Sequence, residues 1–225
     1  MLNIFCEGIG DQLFIADFIE SHFPIVLERT YEKFNNDKVL VIKNASIEVI
    51  PINGCKQINK LVIKDLFINN TERGGKNLLI FDADYTGVNG NNGFTNCNIM
   101  IESLKNHQTQ PIEFIHFLWP DNKNDGLFEN LLEKLIPYDK IEIVRCIESN
   151  LECLTALKQT HDIKVPGIKE KINSYLHLFS QPTKVMDRSY KSIFWNLSHE
   201  NCNELLDLKI FFEQNLPKNP NSIST

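Results

Sequence analysis

Short apolar runs alternate with amphipathic stretches along the first half of the chain. The apolar runs predict strands near residues 2–6, 45–52, 77–84 and 113–120. The stretches between them predict helices near residues 11–23, 56–68 and 96–106. Strands that alternate with helices in this way are typical of a parallel sheet with helices on both faces. We therefore expect an α/β fold, Rossmann-like, with a parallel sheet of about four strands.

The other segments have different patterns. Residues 24–45 are polar and irregular, and we expect a variable connection there. From Asp139 onward apolar residues keep helical spacing, without a linker rich in Pro, Gly or Ser. We predict a core over residues 1–138, a helical C-terminal part packed on it over residues 139–216, and a disordered tail over residues 217–225.

Size and composition are those of an ordinary globular protein. The chain has 225 residues, of which 42% are hydrophobic, so it can bury a core as one domain. No apolar run approaches the roughly 20 residues of a membrane span, and the first residues lack signal-peptide features. The six cysteines have no zinc-ligand spacing. We expect a cytoplasmic protein that does not bind membranes.

Charge is distributed unevenly along the chain. The formal net charge of −6 argues against a protein that coats nucleic acid, because such binding comes from clustered Lys and Arg. Residues 158–191, however, carry seven basic and three acidic residues, a net of +4, whereas residues 1–157 carry 14 and 22, a net of −8. A basic surface beside an acidic site and a solvated helix face both fit these counts.

Carboxylates follow two of the predicted strands. Asp82 and Asp84 end an apolar run, and alternate side chains of a strand share a face; Glu7 follows the first strand. Carboxyl ends of parallel strands form the edge where such sheets hold ligands. Three carboxylates there suit Mg²⁺ or Mn²⁺, which can neutralise a phosphate and orient an attacking water. A solvated turn closed by Thr86 and Gly87 also fits the acidic pair.

Two motifs carry a resemblance to a known fold. The segments IFCEG and LLIFDADYTG resemble, in order and setting, the signature of the Toprim fold over roughly residues 1–120. That fold is shared by topoisomerases, bacterial primases, recombination-repair proteins and the nucleases of the overcoming-lysogenization-defect group. The segment WPDNKNDGLFENLLEKL and the helical C-terminal part are similar to small stand-alone bacterial Toprim-like proteins of unassigned function.

The resemblance implies roles for individual acids. Glu7 would act as a general acid or base or hold a metal, and Asp82 and Asp84 would hold Mg²⁺ or Mn²⁺. Asp11 falls where nuclease members often have a further acid, and Glu129 is a candidate additional ligand. Helix capping for Asp11 and a favourable helix-dipole position for Glu129 are the structural alternatives.

The chain departs from the Toprim pattern in two ways. Many catalytic members continue as DxDxD, but the third position here is Thr86, so a second metal would need Glu129 or Asp125 as a replacement ligand. The phosphate-binding segment GxxxxGK[ST] of an ATPase is absent from the sequence. ATP-driven assembly, as in the larger nucleases, is therefore not expected.

The basic segment supplies candidate phosphate contacts. These are Lys169, Lys171, Lys184, Arg188 and Lys191. We expect a divalent-metal-dependent phosphoryl-transfer enzyme that acts on DNA or RNA, most simply a nuclease. The alternative is a non-catalytic metal- or nucleotide-binding module that acts through a protein partner or as a homo-oligomer.

Overall fold

The fold is built on one six-stranded sheet. The computed structural model describes residues 1–34, 37–54, 57–58, 60–87, 93–106, 112–179, 188–198, 200 and 202–217. The strands are β1 (Leu2–Cys6), β2 (Glu28–Phe34), β3 (Asp37–Lys43), β4 (Ile47–Pro51), β5 (Lys76–Asp82) and β6 (Ile115–Trp119). They lie in the order β2-β3-β4-β1-β5-β6. Strands β4, β1, β5 and β6 are parallel, whereas β3 is antiparallel to both neighbours.

Seven α-helices accompany the sheet within the described residues. They are α1 (Ile9–His22), α2 (Leu61–Glu72), α3 (Phe94–Asn106), α4 (Phe128–Lys134), α5 (Ile141–Leu157), α6 (Ile168–Leu178) and α7 (Asn203–Asn215). None of these described helices is both long and apolar enough to cross a membrane. The expected α/β class and the helical C-terminal part are confirmed. The expected sheet of about four parallel strands is corrected, because β2 and β3 extend the four parallel strands to a mixed sheet of six.

The central strands are buried on both faces. Alternate side chains of a strand point to opposite faces, so Ile4 of β1 joins a core with α1 and α7, whereas Phe5 joins a core with α2. The Phe5 ring stacks on Phe67 at a centroid distance of 3.9 Å. Burying a side chain of this size contributes about 1.5–3 kcal/mol. The continuous apolar run of β1 therefore reflects two covered faces.

The variable connection predicted over residues 24–45 is wrong, because β2 and β3 form an antiparallel pair there. Leu40 and Ile42 of β3 are buried, but Val39 is 39% exposed and Tyr31 of β2 is 42% exposed. Strand β2 is the edge strand of the sheet, and the face of the pair that carries Val39 is exposed to solvent. Charged residues interrupt β2, and the apolar run of β3 covers only residues 39–42, so neither strand shows the alternation that identifies a half-buried strand.

The C-terminal helices pack on the sheet and on α1. Phe212 of α7 lies 5.9 Å from Phe18 of α1, and Phe211 lies 5.3 Å from Phe117 of β6, measured between ring centroids. These contacts belong to the same buried cluster as the strands. From residue 218 onward, the tail predicted to be disordered lies outside the described residues.

Candidate functional site

Glu7 and Asp82 lie at the same edge of the sheet because their strands are parallel neighbours. Strand β1 ends one residue before Glu7, and Cys6 is in register with Ile80, two residues before Asp82 at the end of β5. The main chain of Asp82 lies near the Glu7 carboxylate. Burial raises the pKa of Glu7, and the nearby Asp84 and Glu129 raise it further, whereas Lys169 and the main chain of Asp82 lower it.

Asp84 is oriented by a turn rather than by strand alternation. Its φ of 59° lies in the left-handed region, and its carbonyl oxygen accepts a hydrogen bond of 2.9 Å from the N–H of Gly126. Gly126 has a φ of 151°, and a β-carbon there would lie 3.0 Å from the Pro120 ring, so glycine is required. Burial raises the pKa of Asp84, and Lys169 lowers it.

Asp11 both caps a helix and lies in the acidic cluster. It is the third residue of α1, and its Oδ2 accepts a hydrogen bond of 3.2 Å from the N–H of Gly8. Its Oδ1 accepts one of 2.9 Å from Nε1 of Trp119. Burial raises the pKa of Asp11 to about 7, opposed by the Trp119 hydrogen bond and assisted by the charge of Glu7. Asp11 therefore caps α1, as the structural alternative expected, and it also lies close to Glu7 in the acidic cluster.

The first turn of α4 meets the end of β5. The N–H of Phe128 donates a hydrogen bond of 2.7 Å to Oδ1 of Asp82, and the next residue, Glu129, keeps Oε2 buried without a hydrogen-bond partner. Burial raises the pKa of Asp82 well above its usual value, and the charges of Glu7 and Asp11 raise it further. The carboxylates therefore repel one another as expected for groups aimed at one region.

A lysine from the C-terminal part lies against these acids. Nζ of Lys169, the second residue of α6, is 3.9 Å from Oδ2 of Asp82 and 3.8 Å from Oε2 of Glu129. Burial lowers the pKa of Lys169, but the charges of Glu129 and Asp82 outweigh burial and raise it. The sequence indicated a phosphate contact, but nothing in its spacing indicated that Lys169 would contact the carboxylates.

The other predicted phosphate contacts lie elsewhere. Lys171 is buried and paired with Glu133 and Glu148. Arg188 and Lys191 lie on the segment that packs near α1, where Lys191 pairs with Glu20. Lys184 lies outside the described residues.

Asp125 is used to hold the loop beside the acids. Its Oδ2 accepts hydrogen bonds from the hydroxyl and the N–H of Thr86, at 2.6 and 3.1 Å, and its Oδ1 accepts one of 2.7 Å from the N–H of Phe94 at the start of α3. Hydrogen bonds from Thr86 and Phe94 lower the pKa of Asp125. Of the two candidate replacement ligands, Asp125 is engaged in these hydrogen bonds, whereas, among the described residues, Oε2 of Glu129 accepts no hydrogen bond and is paired only with Lys169.

The donors at this edge are of the type that a hard divalent cation prefers. They are carboxylate oxygens, burial and then the neighbouring negative charges raise the pKa values of Asp82 and Glu7, and Oε2 of Glu129 has no hydrogen-bond partner. As the side chains lie, no group of three or more His, Cys, Asp or Glu residues within the described part of the chain could hold a metal ion. The chemistry of the donor set fits Mg²⁺ or Mn²⁺, and binding would require these side chains to turn towards one another.

The fold and this edge define an α/β protein with a carboxylate cluster at the ends of adjacent parallel strands. The family model described as a protein of unknown function, DUF3226, matches residues 2–214, so the chain belongs to this family. Searches of curated proteins and of solved structures gave no match.

Proposed function

We propose that the protein is a divalent-metal-dependent phosphoryl-transfer enzyme of Toprim type that acts on nucleic acid, most simply as a nuclease. The observation that supports this most directly is the convergence of Glu7, Asp82 and Glu129 around Lys169. The order of the acids along the chain and their position on the adjacent strands β1 and β5 agree with the Toprim resemblance.

Each residue of the cluster has a task in this proposal. Glu7, Asp82 and Asp84 would hold Mg²⁺ or Mn²⁺, with Glu129 as a further ligand. The bound ion would neutralise a phosphate and orient an attacking water. Glu7 would take a proton from the water or give one to the leaving oxygen, because burial raises its pKa and so makes it a better proton acceptor than an exposed glutamate.

Lys169 would neutralise phosphate charge during the reaction. Its side chain is 54% exposed, so it can turn from Asp82 and Glu129 towards a phosphate oxygen without leaving the site. Asp11 stays in place through Gly8 and Trp119 and adds negative potential behind Glu7. Such a cluster attracts a cation more strongly than any single carboxylate.

A second candidate is a non-catalytic Toprim-like module that binds a metal or nucleotide and acts through a protein partner. The observation in its favour is the same lysine, because Lys169 already gives Asp82 and Glu129 a positively charged partner within the chain. A module of this kind would bind its ligand and leave nucleic acid uncut.

The test is cleavage of labelled DNA and RNA, single-stranded and duplex, with Mg²⁺, Mn²⁺ or EDTA. Asp82→Asn keeps the acceptor for Phe128 and removes one charge, so we expect cleavage to fall by roughly a hundredfold or more. Asp207→Asn is the matched control, because Asp207 pairs with Lys123 on the surface of α7. Full activity in Asp82→Asn would contradict the proposal, and binding without cleavage by the wild type would favour the second candidate.

A further inference from the structure

A polar cavity lies between α1, the β2–β3 pair and the segment that contains Arg188. Its volume is about 430 Å³, within the roughly 300–1,000 Å³ typical of ligand sites. Arg29, Arg188 and Lys191 line it, together with Asp17 and Tyr31. None of these residues belongs to the acidic cluster, so the cavity is a separate feature of the molecule.

The charged groups of this cavity do not cancel. Arg29 forms ion pairs of 2.7 Å with Asp17 and 3.0 Å with Glu20, and Lys191 also pairs with Glu20. Arg188 forms no salt bridge to any residue within the described ranges. Among the described residues, three cations against the two carboxylates Asp17 and Glu20 leave one positive charge, which is on Arg188.

Arg188 is held in position but has unused hydrogen-bonding capacity. One terminal nitrogen donates to Oδ1 of Asn173 at 3.2 Å, the guanidinium also lies beside the Tyr190 hydroxyl, and Nε is buried without a hydrogen-bond partner. A buried N–H without an acceptor is unfavourable and is rare in folded proteins. A guanidinium group is suited to an oxyanion that accepts two hydrogen bonds side by side, and phosphate is such an anion.

The cavity is connected to the acidic edge through two elements. Helix α1 carries Asp11 at the edge and Asp17 in the cavity, six residues apart, or about 9 Å along the axis at about 1.5 Å per residue. Tyr190, next to the cavity residue Ser189, lies 6.0 Å from Phe128, ring to ring. The rise of about 9 Å between the two helix positions corresponds to roughly two to three nucleotides of a stacked strand, at roughly 3.4 Å for each phosphate.

We propose that this cavity binds a phosphate group of the nucleic-acid strand about two to three nucleotides from the phosphodiester that is cut at the acidic edge, with Arg188 as the main contact. The inference rests on the proposed function and names the part of the substrate recognised away from the reacting bond. The phosphate is either at the end of the strand or within it. Tyr31 lines the same cavity, and Nζ of Lys38 lies 4.0 Å from its ring centroid, so a base could stack only on the opposite face of the ring.

The test is the binding of short single-stranded oligonucleotides in EDTA, where no metal-dependent cleavage takes place. Arg188→Gln removes the charge, and Arg145→Gln on α5 is the control, because Arg145 is exposed and pairs with Glu142. We expect Arg188→Gln to weaken binding roughly tenfold and to lower the salt slope by about one, as expected for the loss of one phosphate contact. Arg145→Gln should bind like the wild type.

Two further comparisons identify the phosphate and check the fold. If oligonucleotides with a 5′-phosphate bind more tightly than those with a 5′-hydroxyl, and inorganic phosphate competes, the group is terminal; equal binding indicates an internal phosphate. Arg188→Lys keeps the charge but not the paired N–H groups, and it should bind with intermediate affinity. A thermal melt of each variant shows that it is folded.

Unchanged binding by a folded Arg188→Gln variant would overturn the inference, and so would equal losses in Arg188→Gln and Arg145→Gln. These results differ from a failure of the proposed function. If Asp82→Asn abolishes cleavage while Arg188→Gln binds normally, the enzyme proposal stands and the cavity proposal falls. If Arg188→Gln loses binding while the wild type never cleaves, the cavity proposal stands alone.

Discussion

Nζ of Lys169 lies 3.9 Å from Oδ2 of Asp82, which brings a positive charge from the C-terminal helices to the acidic edge of the sheet. The same nitrogen is 3.8 Å from Oε2 of Glu129. A divalent cation that binds these carboxylates must therefore compete with the lysine for them. If the lysine competes with the metal ion, removing the lysine charge should strengthen the response to metal. This makes the relationship testable.

Replacing Lys169 with Met should increase the response of the protein to metal. Without the ammonium group the carboxylates repel one another more, so we expect the metal-free protein to lose stability, by no more than about 1 kcal/mol because the lysine is half-exposed. Mn²⁺ should then raise the melting temperature more than it does in the wild type. Lys164→Met, at an 89% exposed lysine near Glu170, is the control and should change neither value. A smaller metal response in Lys169→Met would show that the lysine assists metal binding instead.

Replacing Asp82 with Asn should leave the metal-free protein as stable as the wild type or more stable. The Asp82 carboxylate is buried beside Glu7 and Asp11, which makes its charge unfavourable, and an amide oxygen can still accept the Phe128 hydrogen bond. We expect the melting temperature at pH 8 to stay equal or to rise by a few degrees. Asp207→Asn, which removes a surface partner of Lys123, should not raise it. A clear loss of stability in Asp82→Asn would mean that Lys169 stabilises the charge more than the neighbouring acids oppose it.

Glu20 should make part of the stability depend on acid pH. Burial tends to raise its pKa, but hydrogen bonds from Arg29, Lys191 and the N–H of Leu27 outweigh burial and lower the pKa to about 2. In the unfolded chain the pKa is about 4.5. The ion pairs therefore contribute above pH 4.5 and are lost as the pH falls from about 4.5 towards 2. The free energy of unfolding of Glu20→Gln should fall less across this window than that of the wild type.

The control for this pH dependence is Glu213→Gln. Glu213 lies on α7, is 51% exposed and is 3.7 Å from Lys209, so its ion pair is weak. Chemical denaturation at several pH values gives the free energy of unfolding for all three proteins. Parallel curves for Glu20→Gln and the wild type would contradict the expected linkage.

Asp125 should be needed to hold the loop beside the acidic cluster. Asp125→Ala removes the acceptor for Thr86 and for the N–H of Phe94, so we expect a lower melting temperature and faster hydrogen exchange at Phe94. Asp125→Asn keeps one acceptor oxygen and should show a smaller effect. Asp162→Ala, in the exposed stretch before α6, is the control. Unchanged exchange at Phe94 in Asp125→Ala would show that other contacts fix this helix start.

The parallel strands could be predicted from sequence because their side chains are buried on two faces. The apolar runs of β1 and β5 are continuous for that reason, and the acids that follow each run fall at one edge. Glu7 and Asp82 could therefore be expected near one another. The edge pair β2–β3 escaped prediction because charged residues interrupt β2 and the apolar run of β3 covers only residues 39–42, so neither strand shows a clear alternation.

Contacts between distant segments could not be predicted. The pairing of Lys169 with Asp82 depends on how α6 packs against α4, and the composition of the basic segment indicated only that a phosphate contact was possible. Arg29 lies in the stretch expected to be irregular, so its place in the cavity beside α1 could not be foreseen. The direction of Asp84 depends on a left-handed turn and on Gly126, whereas strand alternation was the only rule that the sequence offered.

The most direct test of the central claim is a thermal melt of the wild type with and without Mg²⁺ and Mn²⁺, repeated on Asp82→Asn combined with Asp84→Asn. A ligand at about 100 times its dissociation constant stabilises the native state by roughly 2.7 kcal/mol. We predict that the metal raises the melting temperature of the wild type and not that of the double variant. Equal responses in the two proteins, or no response in the wild type, would contradict a divalent-metal site at this edge.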